Sequence, residues 1–290
     1  MRYSSFWACL AVLALTAAGT QAQEYTIKFK HGSDPGKSVV VKENNKETTS
    51  FTVSDANGKV LGKNKEEGAT EEVYTETVLE KGDKQSKKFK RVYEKANRVV
   101  DGKKVALPYE GRTIVFELKD GKYQASAEGK PAVDPQLLDG LARRASSNDE
   151  SQDQAILPTK PVKVGDKWAV DIKALAKGLA KDGGLEIDVE KTKGDVTLTK
   201  AYQKEGAQFG VLDVTIKLSV KSLGDLKFES PATGDLKATL DVAIDGTSPA
   251  GSETSTSKLE GKGITTEMGQ KRTIDLKVDS TNTKEISPGK

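Results

Sequence analysis

Cysteine and histidine are almost absent from the sequence, since each occurs once, as Cys9 and His31. A single cysteine forms no internal disulfide, and zinc sites in proteins draw mainly on cysteine and histidine. The composition therefore argues against a disulfide-stabilised fold and against a zinc centre. A lone histidine beside Ser33 and Asp34 is also a poor candidate for a catalytic triad, and we interpret His31 as an exposed loop residue.

Long hydrophobic runs are missing after the first twenty residues. Residues 6–18 form a nearly unbroken apolar run that follows Arg2 and precedes the tripeptide Thr20-Gln21-Ala22. This arrangement is typical of a secretory signal peptide, which is too short to span a membrane as a stable helix. We predict cleavage near Ala22 and an extracytoplasmic location, in the periplasm or secreted, for residues 23–290. We expect neither a transmembrane segment nor a lipid anchor in this mature chain.

Neither sign of charge predominates. The sequence has 46 lysine and arginine residues and 43 aspartate and glutamate residues, which gives a formal net charge of +3. Both signs are interspersed along the chain, whereas nucleic-acid-binding surfaces concentrate basic residues on one face. The sequence therefore predicts a solubilising surface and no nucleic-acid partner.

A phosphate-binding loop is only approximated, by the stretch GSDPGKS at residues 32–38. The pattern G-x-x-x-x-G-K-[ST] lies between a strand and a helix, and its second half matches at residues 36–38. Its first glycine is required at position 31 but stands at position 32. Three valines follow at 39–41 and favour a strand over a helix. We interpret the stretch as a loop between two strands and predict no nucleotide cofactor.

Alternation of apolar and polar residues with a period of two dominates the sequence. Apolar residues occupy every second position in 212–220, 236–244 and 274–278, and polar residues lie between nearly all of them. The stretches 114–118 and 123–127 repeat the pattern on either side of Asp120-Gly121, and Asn57-Gly58 joins SFTVS to KVLG. Both dipeptides are typical of tight hairpins. Such strands have one buried and one solvated face, as in antiparallel sheet, and we expect about a dozen of them.

Two segments with helical periodicity interrupt the strands. Asp134-Pro135 provides a capping residue and a suitable first helical position. Apolar residues at 172, 175, 176, 179 and 180 predict a second helix, which Gly183-Gly184 ends. Residues 146–154, SSNDESQDQ, contain no apolar side chain, and we expect a flexible polar linker there.

The predicted fold class is mainly β: a long, curved, half-barrel-like antiparallel sheet with the two short helices packed on its concave face. The apolar face has to be covered, because burying each valine or leucine contributes about 1.5–3 kcal/mol. The chain would form a single domain at 23–290, or two β halves, 23–145 and 155–290, joined by the polar linker. A two-sheet sandwich is a further alternative.

Two stretches carry a resemblance to known proteins, LPYEGRTIVFELKDGKYQASAEGK at 107–130 and LPTKPVKVGDKWAVD at 157–171. With the motif LP-x-x-PVKVGD-x-W, the chain resembles uncharacterised exported bacterial β-rich proteins. It is also distantly similar, at the level of fold, to half-barrel lipoprotein carriers of the LolA/LolB kind, whose concave sheet face holds acyl chains under helices. The resemblance implies an envelope protein, but no carrier motif matches position by position and no site residue is transferred.

An apolar pocket between sheet and helices is the site that such an architecture would offer. Trp168 is interpreted mainly as a packing anchor at the start of the second helix, because an indole buries a large area. The predicted lining of the pocket is Leu137, Leu138, Leu141, Trp168, Leu175, Leu179, Leu212, Val214, Ile216, Leu240 and Val242.

Acidic residues are numerous, but no specific pair or metal-ligand series stands out. Glu186, Asp188 and Glu190 alternate along one strand edge and could hold a hard cation, as could the acidic residues at 149–153, yet a solvated face is the favoured interpretation. The sequence predicts no catalytic residue, no metal site and no cofactor.

The predicted function is therefore that of a non-catalytic extracytoplasmic protein that binds a lipid-like or amphipathic ligand. A structural or protein-interaction module of the cell envelope, with exposed edge strands, is the alternative. A hydrolase that uses carboxylates alone ranks third, because it needs a close acid pair with a raised pKa.

Overall fold

The computed structural model describes residues 23–30, 33–82, 85–100, 102–129, 132–147, 150–267 and 269–289. The predicted signal peptide, with Cys9, lies outside the described residues, and so do His31 and Gly32. Within the described ranges, no helix is both long and apolar enough to cross a membrane.

Strands make up most of the described chain. They are β1 (Ser38–Ser54), β2 (Val60–Lys81), β3 (Ser86–Val100), β4 (Lys103–Ala106), β5 (Thr113–Lys119), β6 (Lys122–Ala127), β7 (Lys167–Ala169), β8 (Leu185–Ile187), β9 (Lys193–Lys204), β10 (Ala207–Leu223), β11 (Leu226–Ala243), β12 (Gly251–Glu267) and β13 (Gln270–Pro288). The helices are α1 (Pro135–Ser147), α2 (Glu150–Ile156) and α3 (Ile172–Gly183).

The thirteen strands form one open antiparallel sheet in the order β6-β5-β3-β2-β1-β13-β12-β11-β10-β9-β7, with β4 beside β3 and β8 beside β10. The predicted fold class, mainly β with a long antiparallel sheet, is confirmed. Most strands pair with a neighbour in sequence. The central pair is the exception with the largest sequence separation, because β1 and β13 pair in register from Val39 opposite Pro288 to Ser54 opposite Thr273.

The turns follow the predicted dipeptides. Asp120 and Gly121 have φ angles of 51° and 77°, and Gly58 has a φ of 80°. Gly36, in the near-match to a phosphate loop, has a φ of 79° and leads directly into β1. The predicted strand after this loop, in place of a helix, is confirmed. The predicted strand before it was wrong, since described residues 23–30 form only the isolated bridges of Tyr25 with Val162 and of Lys28 with Asp245.

Both predicted helices are present and each begins at an aspartate cap, of which only Asp134 was predicted. The Asp134 carboxylate accepts a hydrogen bond from Gln136 N at 2.8 Å, and the Asp171 carboxylate accepts from the backbone N of residues 173 and 174. At the end of α3, Gly184 adopts a left-handed conformation with a φ of 64°, which ends the helix.

The prediction of a flexible polar linker at 146–154 was wrong for the residues that the structure describes, because they belong to the end of α1 and to α2. Residues 148 and 149 are not described. Helix α2 packs against α3, and its Ala155 is buried to 1% exposure. Such tertiary contacts stabilise a short helix whose own sequence is too polar and too brief to be helical alone.

The sheet buries its apolar residues in two main cores. The first core contains residues from β1, β2, β3, β5, β6 and α1, and the second core contains residues from β9, β10, β11, α2 and α3. The direct cross-strand neighbours Tyr74, Val41, Ile286, Gly251 and Val242 link the two cores in one row. Because side chains alternate between faces, both cores lie on the same face, which we call the inner face. Helices α1 and α3 touch each other over it.

Candidate functional site

The inner face changes from apolar to polar and back to mostly apolar side chains along the central strands β1 and β13. On β1 it carries buried valines, then polar residues, then mostly apolar residues, and the residues of β13 opposite these zones follow the same order. On β12 the polar zone continues, but the last zone consists of one leucine and two glycines. The middle zone, the polar stripe, consists of Glu43, Asn45, Glu47, Ser280, Asn282, Lys284, Glu253, Ser255 and Ser257. The third zone of the inner face, which we call the apolar strip, consists of Phe51, Val53, Ile274, Leu276 and Val278.

The zone under α1 is an aromatic core that contains a buried arginine. Arg91 on β3 donates from Nε to Glu76 Oε2 at 2.9 Å. Its guanidinium carbon lies 4.6 Å from the ring centre of Tyr74 and 5.1 Å from that of Phe116. Burial alone would lower the pKa of Arg91, but Tyr74 and Glu76 outweigh it and raise the pKa. These contacts keep the guanidinium charged inside the core and make Arg91 a structural element of it.

A second buried charge connects α1 to the sheet. Glu72 on β2 is 4% exposed and accepts hydrogen bonds from the Tyr109 hydroxyl and from Arg144 Nη2. Burial and the neighbouring Glu72 carboxylate raise the pKa of Tyr109, so its hydroxyl remains a donor at neutral pH. The network fixes the position of α1 over the inner face.

Two further tyrosines have raised pKa values without a catalytic arrangement around them. Burial raises the pKa of Tyr123 to about 12, and its hydroxyl donates to the Ser86 carbonyl at 2.6 Å. A hydrogen bond to Asp241 raises the pKa of Tyr202 to about 12. In both cases the phenol is protonated and serves as a structural donor.

The polar stripe contains a buried acceptor. Asn282 Oδ1 has no hydrogen-bond partner among the described residues, and the direct neighbours of Asn282 are Asn45 and Ser255. One row away, Ser257 and Ser280 share a hydrogen bond of 2.8 Å between their hydroxyls. A buried acceptor without a donor costs about 1–3 kcal/mol. A ligand group that donates a hydrogen bond to Asn282 Oδ1 would remove this cost and bind more tightly.

The apolar strip is partly exposed and has no described helix over it. Its residues pair directly across the strands, Phe51 with Leu276 and Val53 with Ile274. None of the five belongs to a buried cluster of the described residues, and the helices come closest to the sheet at β6 and β8. Only Val278 adjoins a core, through its neighbour Leu259. The strip therefore presents apolar side chains on the inner face away from the helices.

The residues predicted to line one pocket are divided between the two cores. The first core receives Leu137, Leu138 and Leu141 from α1. The second core receives the other members, which are Trp168, Leu175, Leu179, Leu212, Val214, Ile216, Leu240 and Val242. Leu141, Leu212, Val214 and Ile216 are at most 4% exposed, so these four side chains are packed core residues. Whether the remaining members contact a ligand stays a prediction.

Trp168 is the middle residue of β7. Its indole Nε1 donates to the Ile156 carbonyl at 2.8 Å, and its ring packs on the second core. One hydrogen bond and one apolar face satisfy an indole, as expected for a packing anchor.

A hollow of about 500 Å³ lies away from the helices, across β2, β1, β13 and β12. Six of its ten lining residues, Ser50, Thr52, Lys63, Glu260, Asp275 and Lys277, point to the outer face by their register. The other four belong to the row of Phe51 and Leu276, whose side chains point inward. The hollow is thus a polar depression and differs from the apolar pocket predicted between sheet and helices.

Metal binding has no support in the described part of the chain, where no three histidine, cysteine or acidic side chains cluster as ligands. Asp188, one of the acidic residues considered for a cation, accepts hydrogen bonds from Glu190 N and lies 3.8 Å from Lys191 Nζ. Sequence reasoning did not anticipate Glu72, Arg91 or Arg144, because nothing in the local sequence marks a charged residue as buried.

Comparison with known proteins yields similarities of overall shape alone. No family model matches the chain, and no curated protein matches it. The resemblance based on the LP-x-x-PVKVGD-x-W motif therefore stays a prediction.

Several solved structures, among them lipovitellin, an outer membrane channel and a porin, are similar in overall shape at very low identity. Lipovitellin, in a structure concerned with lipid–protein interactions, is 7% identical with a TM-score of 0.38, over 88% of this chain and 25% of that one. An outer membrane channel from Pseudomonas putida is 9% identical with a TM-score of 0.21, over 89% and 97%. A mutant porin of Rh. blastica is 6% identical with a TM-score of 0.19, over 85% and 100%. The chain spans a quarter of the lipovitellin chain, and scores this low carry no argument about function.

Proposed function

We propose that this protein is a non-catalytic, extracytoplasmic binding protein that holds a lipid-like, amphipathic ligand against the inner face of its sheet. The observation that carries the proposal is the apolar strip, five apolar side chains on β1 and β13 that lie outside every buried cluster of the described residues. Contiguous apolar surface that the fold leaves partly exposed is typical of binding sites.

The outer face of the same strands is polar, in contrast to the apolar strip on the inner face. The residues between the strip positions, among them Thr52, Asp275 and Lys277, are polar or charged. The two faces therefore differ although they belong to the same single layer of sheet. Solubility alone would favour polar residues on both faces, so the apolar strip supports a specific use of the inner face.

The polar stripe beside the strip suits the head of an amphipathic ligand. It extends over five residues of each strand, or about 17 Å at 3.4 Å per residue, and it carries both signs of charge in Glu43, Glu253 and Lys284. The buried acceptor Asn282 Oδ1 favours a head group that donates a hydrogen bond. We infer that the ligand lies along the strands, with its chain on the apolar strip and its head on the stripe.

The absence of catalysis is supported by the state of the acidic groups. Every described carboxylate with a resolved pKa shift, such as Asp34, Glu71, Asp245 and Glu260, has its pKa lowered by lysine neighbours or hydrogen bonds. General acid catalysis by a carboxyl group needs the opposite shift. A carboxylate-only hydrolase is accordingly the weakest of the three candidate functions.

The ligand proposal is tested with residues 23–290 and N-phenyl-1-naphthylamine, a neutral apolar probe with one N–H donor that becomes fluorescent in apolar surroundings. Phe51→Glu places a carboxylate in the strip and should weaken probe binding at least about tenfold, the equivalent of about 1.4 kcal/mol. Ser50→Glu is the matched control, because it adds the same charge one residue away on the outer face, opposite Lys277, and should leave binding unchanged.

Two outcomes contradict the proposal. One is a wild-type protein that binds no probe and, after gentle purification, shows no added mass in native mass spectrometry. The other is equal weakening by Phe51→Glu and Ser50→Glu, which would indicate a nonspecific charge effect. A structural or interaction module of the envelope would then be the better interpretation.

A further inference from the structure

The first half of β2 is a free sheet edge. Residues 60–68 pair with β1, from Val60 opposite Ser54 to Gly68 opposite Glu47. Pairing with β3 begins only beyond them, at Ala69 opposite Val99. All nine residues are exposed, and no described strand other than β1 lies along them. One row of backbone N–H and C=O groups is therefore available for another strand.

Natural sheets usually protect such an edge by short length, proline, a bulge or repelling lysines. A bulge at Leu61 interrupts the pairing with β1 near the start of the edge, but the regular part, residues 62–68, is seven residues long and contains no proline. Lys63 and Lys65 are present, but Glu66 and Glu67 follow at once, so the segment is neutral as a whole. The edge therefore has no net charge that would keep a second strand away.

The order of the charges selects the strand that fits. The segment reads VLGKNKEEG, with its positive residues before its negative ones. An antiparallel copy of the same segment brings the positive half of each strand against the negative half of the other. With Lys65 on the twofold axis, Lys63 faces Glu67 of the second copy and Asn64 faces Glu66 of the second copy. Lys65 then faces the same residue of the second copy, and Glu67 of its own chain, whose Oε1 lies 2.5 Å from Lys65 Nζ, offsets this like-charge contact.

The faces of the sheet agree with this register. Lys63, Lys65 and Glu67 point to the outer face, while Asn64 and Glu66 point to the inner face. An antiparallel partner related by a twofold axis normal to the sheet keeps its outer residues on the same side. We propose that residues 62–68 form the interface of a homodimer in which two copies join edge to edge into one continuous sheet. This proposal is independent of the ligand.

In such a dimer the polar hollow of each copy borders the joined edges. Lys63 and Asn64 line the hollow and also belong to the free edge. The two hollows of the dimer lie on either side of the twofold axis, and each is bordered by residues of the joined edges.

The test is a charge reversal with rescue, read by sedimentation equilibrium of residues 23–290. We expect the wild type to sediment as a dimer. Lys63→Glu places like charges opposite each other at two symmetric positions and should raise the dimer dissociation constant at least about tenfold. The double variant Lys63→Glu with Glu67→Lys exchanges the partners and should restore the dimer. Lys217→Glu, on an exposed position of β10, is the control for net charge.

The register is tested by Lys65→Cys, since residues 23–290 contain no other cysteine. Directly opposed residues of antiparallel strands have Cα atoms about 4.5–5.5 Å apart, which suits a disulfide. Mild oxidation should therefore link Lys65→Cys chains into dimers and leave Lys217→Cys chains single. A monomeric wild type, a dimer that Lys63→Glu leaves intact, or a double variant without rescue would each overturn the proposal.

Discussion

Arg144 on α1 donates from Nη2 to Glu72 Oε1 on β2 at 3.0 Å, across 72 residues of sequence. The same oxygen accepts the Tyr109 hydroxyl. The carboxylate is buried while the arginine side chain is about half exposed. The arginine therefore extends inward from the surface and neutralises a carboxylate that is buried in the sheet. This contact links α1 to the sheet.

Replacing Arg144 should loosen that connection. Arg144→Met removes the charged partner of a buried carboxylate, which should lower the free energy of unfolding by about 1–3 kcal/mol. Urea denaturation followed by circular dichroism measures the change. Arg143→Met is the matched control, because Arg143 is an exposed neighbour on the same helix, and its effect should stay within about 0.5 kcal/mol. Equal losses in both variants would show that the ion pair contributes nothing specific.

Gly261 on β12 should not tolerate a side chain. A Cβ at this position would clash with the Ala232 methyl group and lie 2.8 Å from Phe228 Cε1. Gly261→Ala should therefore destabilise the fold by about 1–3 kcal/mol through overpacking. Gly68→Ala is a suitable comparison, because a Cβ there meets nothing within 4 Å, and alanine should be neutral or stabilise the strand by up to about 1 kcal/mol. Thermal unfolding that fails to separate the two variants would contradict the packing at Gly261.

Asp245 should contribute stability that depends on acid pH. Burial alone would raise its pKa, but hydrogen bonds from Gln208 N at 2.7 Å and from the Thr247 hydroxyl and N outweigh it and lower the pKa. Because the folded pKa is the lower one, this contribution is complete above the unfolded value of about 3.9 and is lost as the pH falls through the folded pKa.

Asp245→Asn should accordingly be less stable than the wild type at pH 7, by about 1–3 kcal/mol, and the difference should shrink towards pH 2–3. Unfolding by urea at a series of pH values measures it. Asp235→Asn, at an exposed position of β11, should show no such dependence. A difference for Asp245→Asn that stays constant from pH 7 to pH 3 would refute the assignment.

Much of the fold could be predicted from local signals. Alternating residues and Asp-Gly or Asn-Gly turns are determined by neighbours in sequence, and so are the caps Asp134 and Asp171. Helix α2 lacks such a signal, because what stabilises it is the burial of Ala155 against residues far away in the chain. The joining of all strands into one sheet was likewise beyond local reasoning, since it depends on the pairing of β1 with β13.

The candidate site, too, could be predicted from the sequence only as far as local signals determine it. Alternation correctly identified which side of each strand is apolar, for example at Leu212 and Leu240, but it did not say which strands adjoin. The apolar strip combines Phe51 and Val53 with residues 274–278, and only the long-range register brings them together. The buried charges Glu72 and Arg91 escape prediction for a similar reason, since their partners become neighbours only in the folded chain.

The pairing of β1 with β13 also constrains how the chain folds. The strands on either side, β1 to β6 and β9 to β12, can form hairpins from residues that are close in sequence, whereas the central seam must close a loop of more than two hundred residues. Contacts at such separation are slow to form. Until residues 270–288 are in place, β1 and β12 each present a long unpaired edge, and the kinetic risk of aggregation is concentrated in that interval.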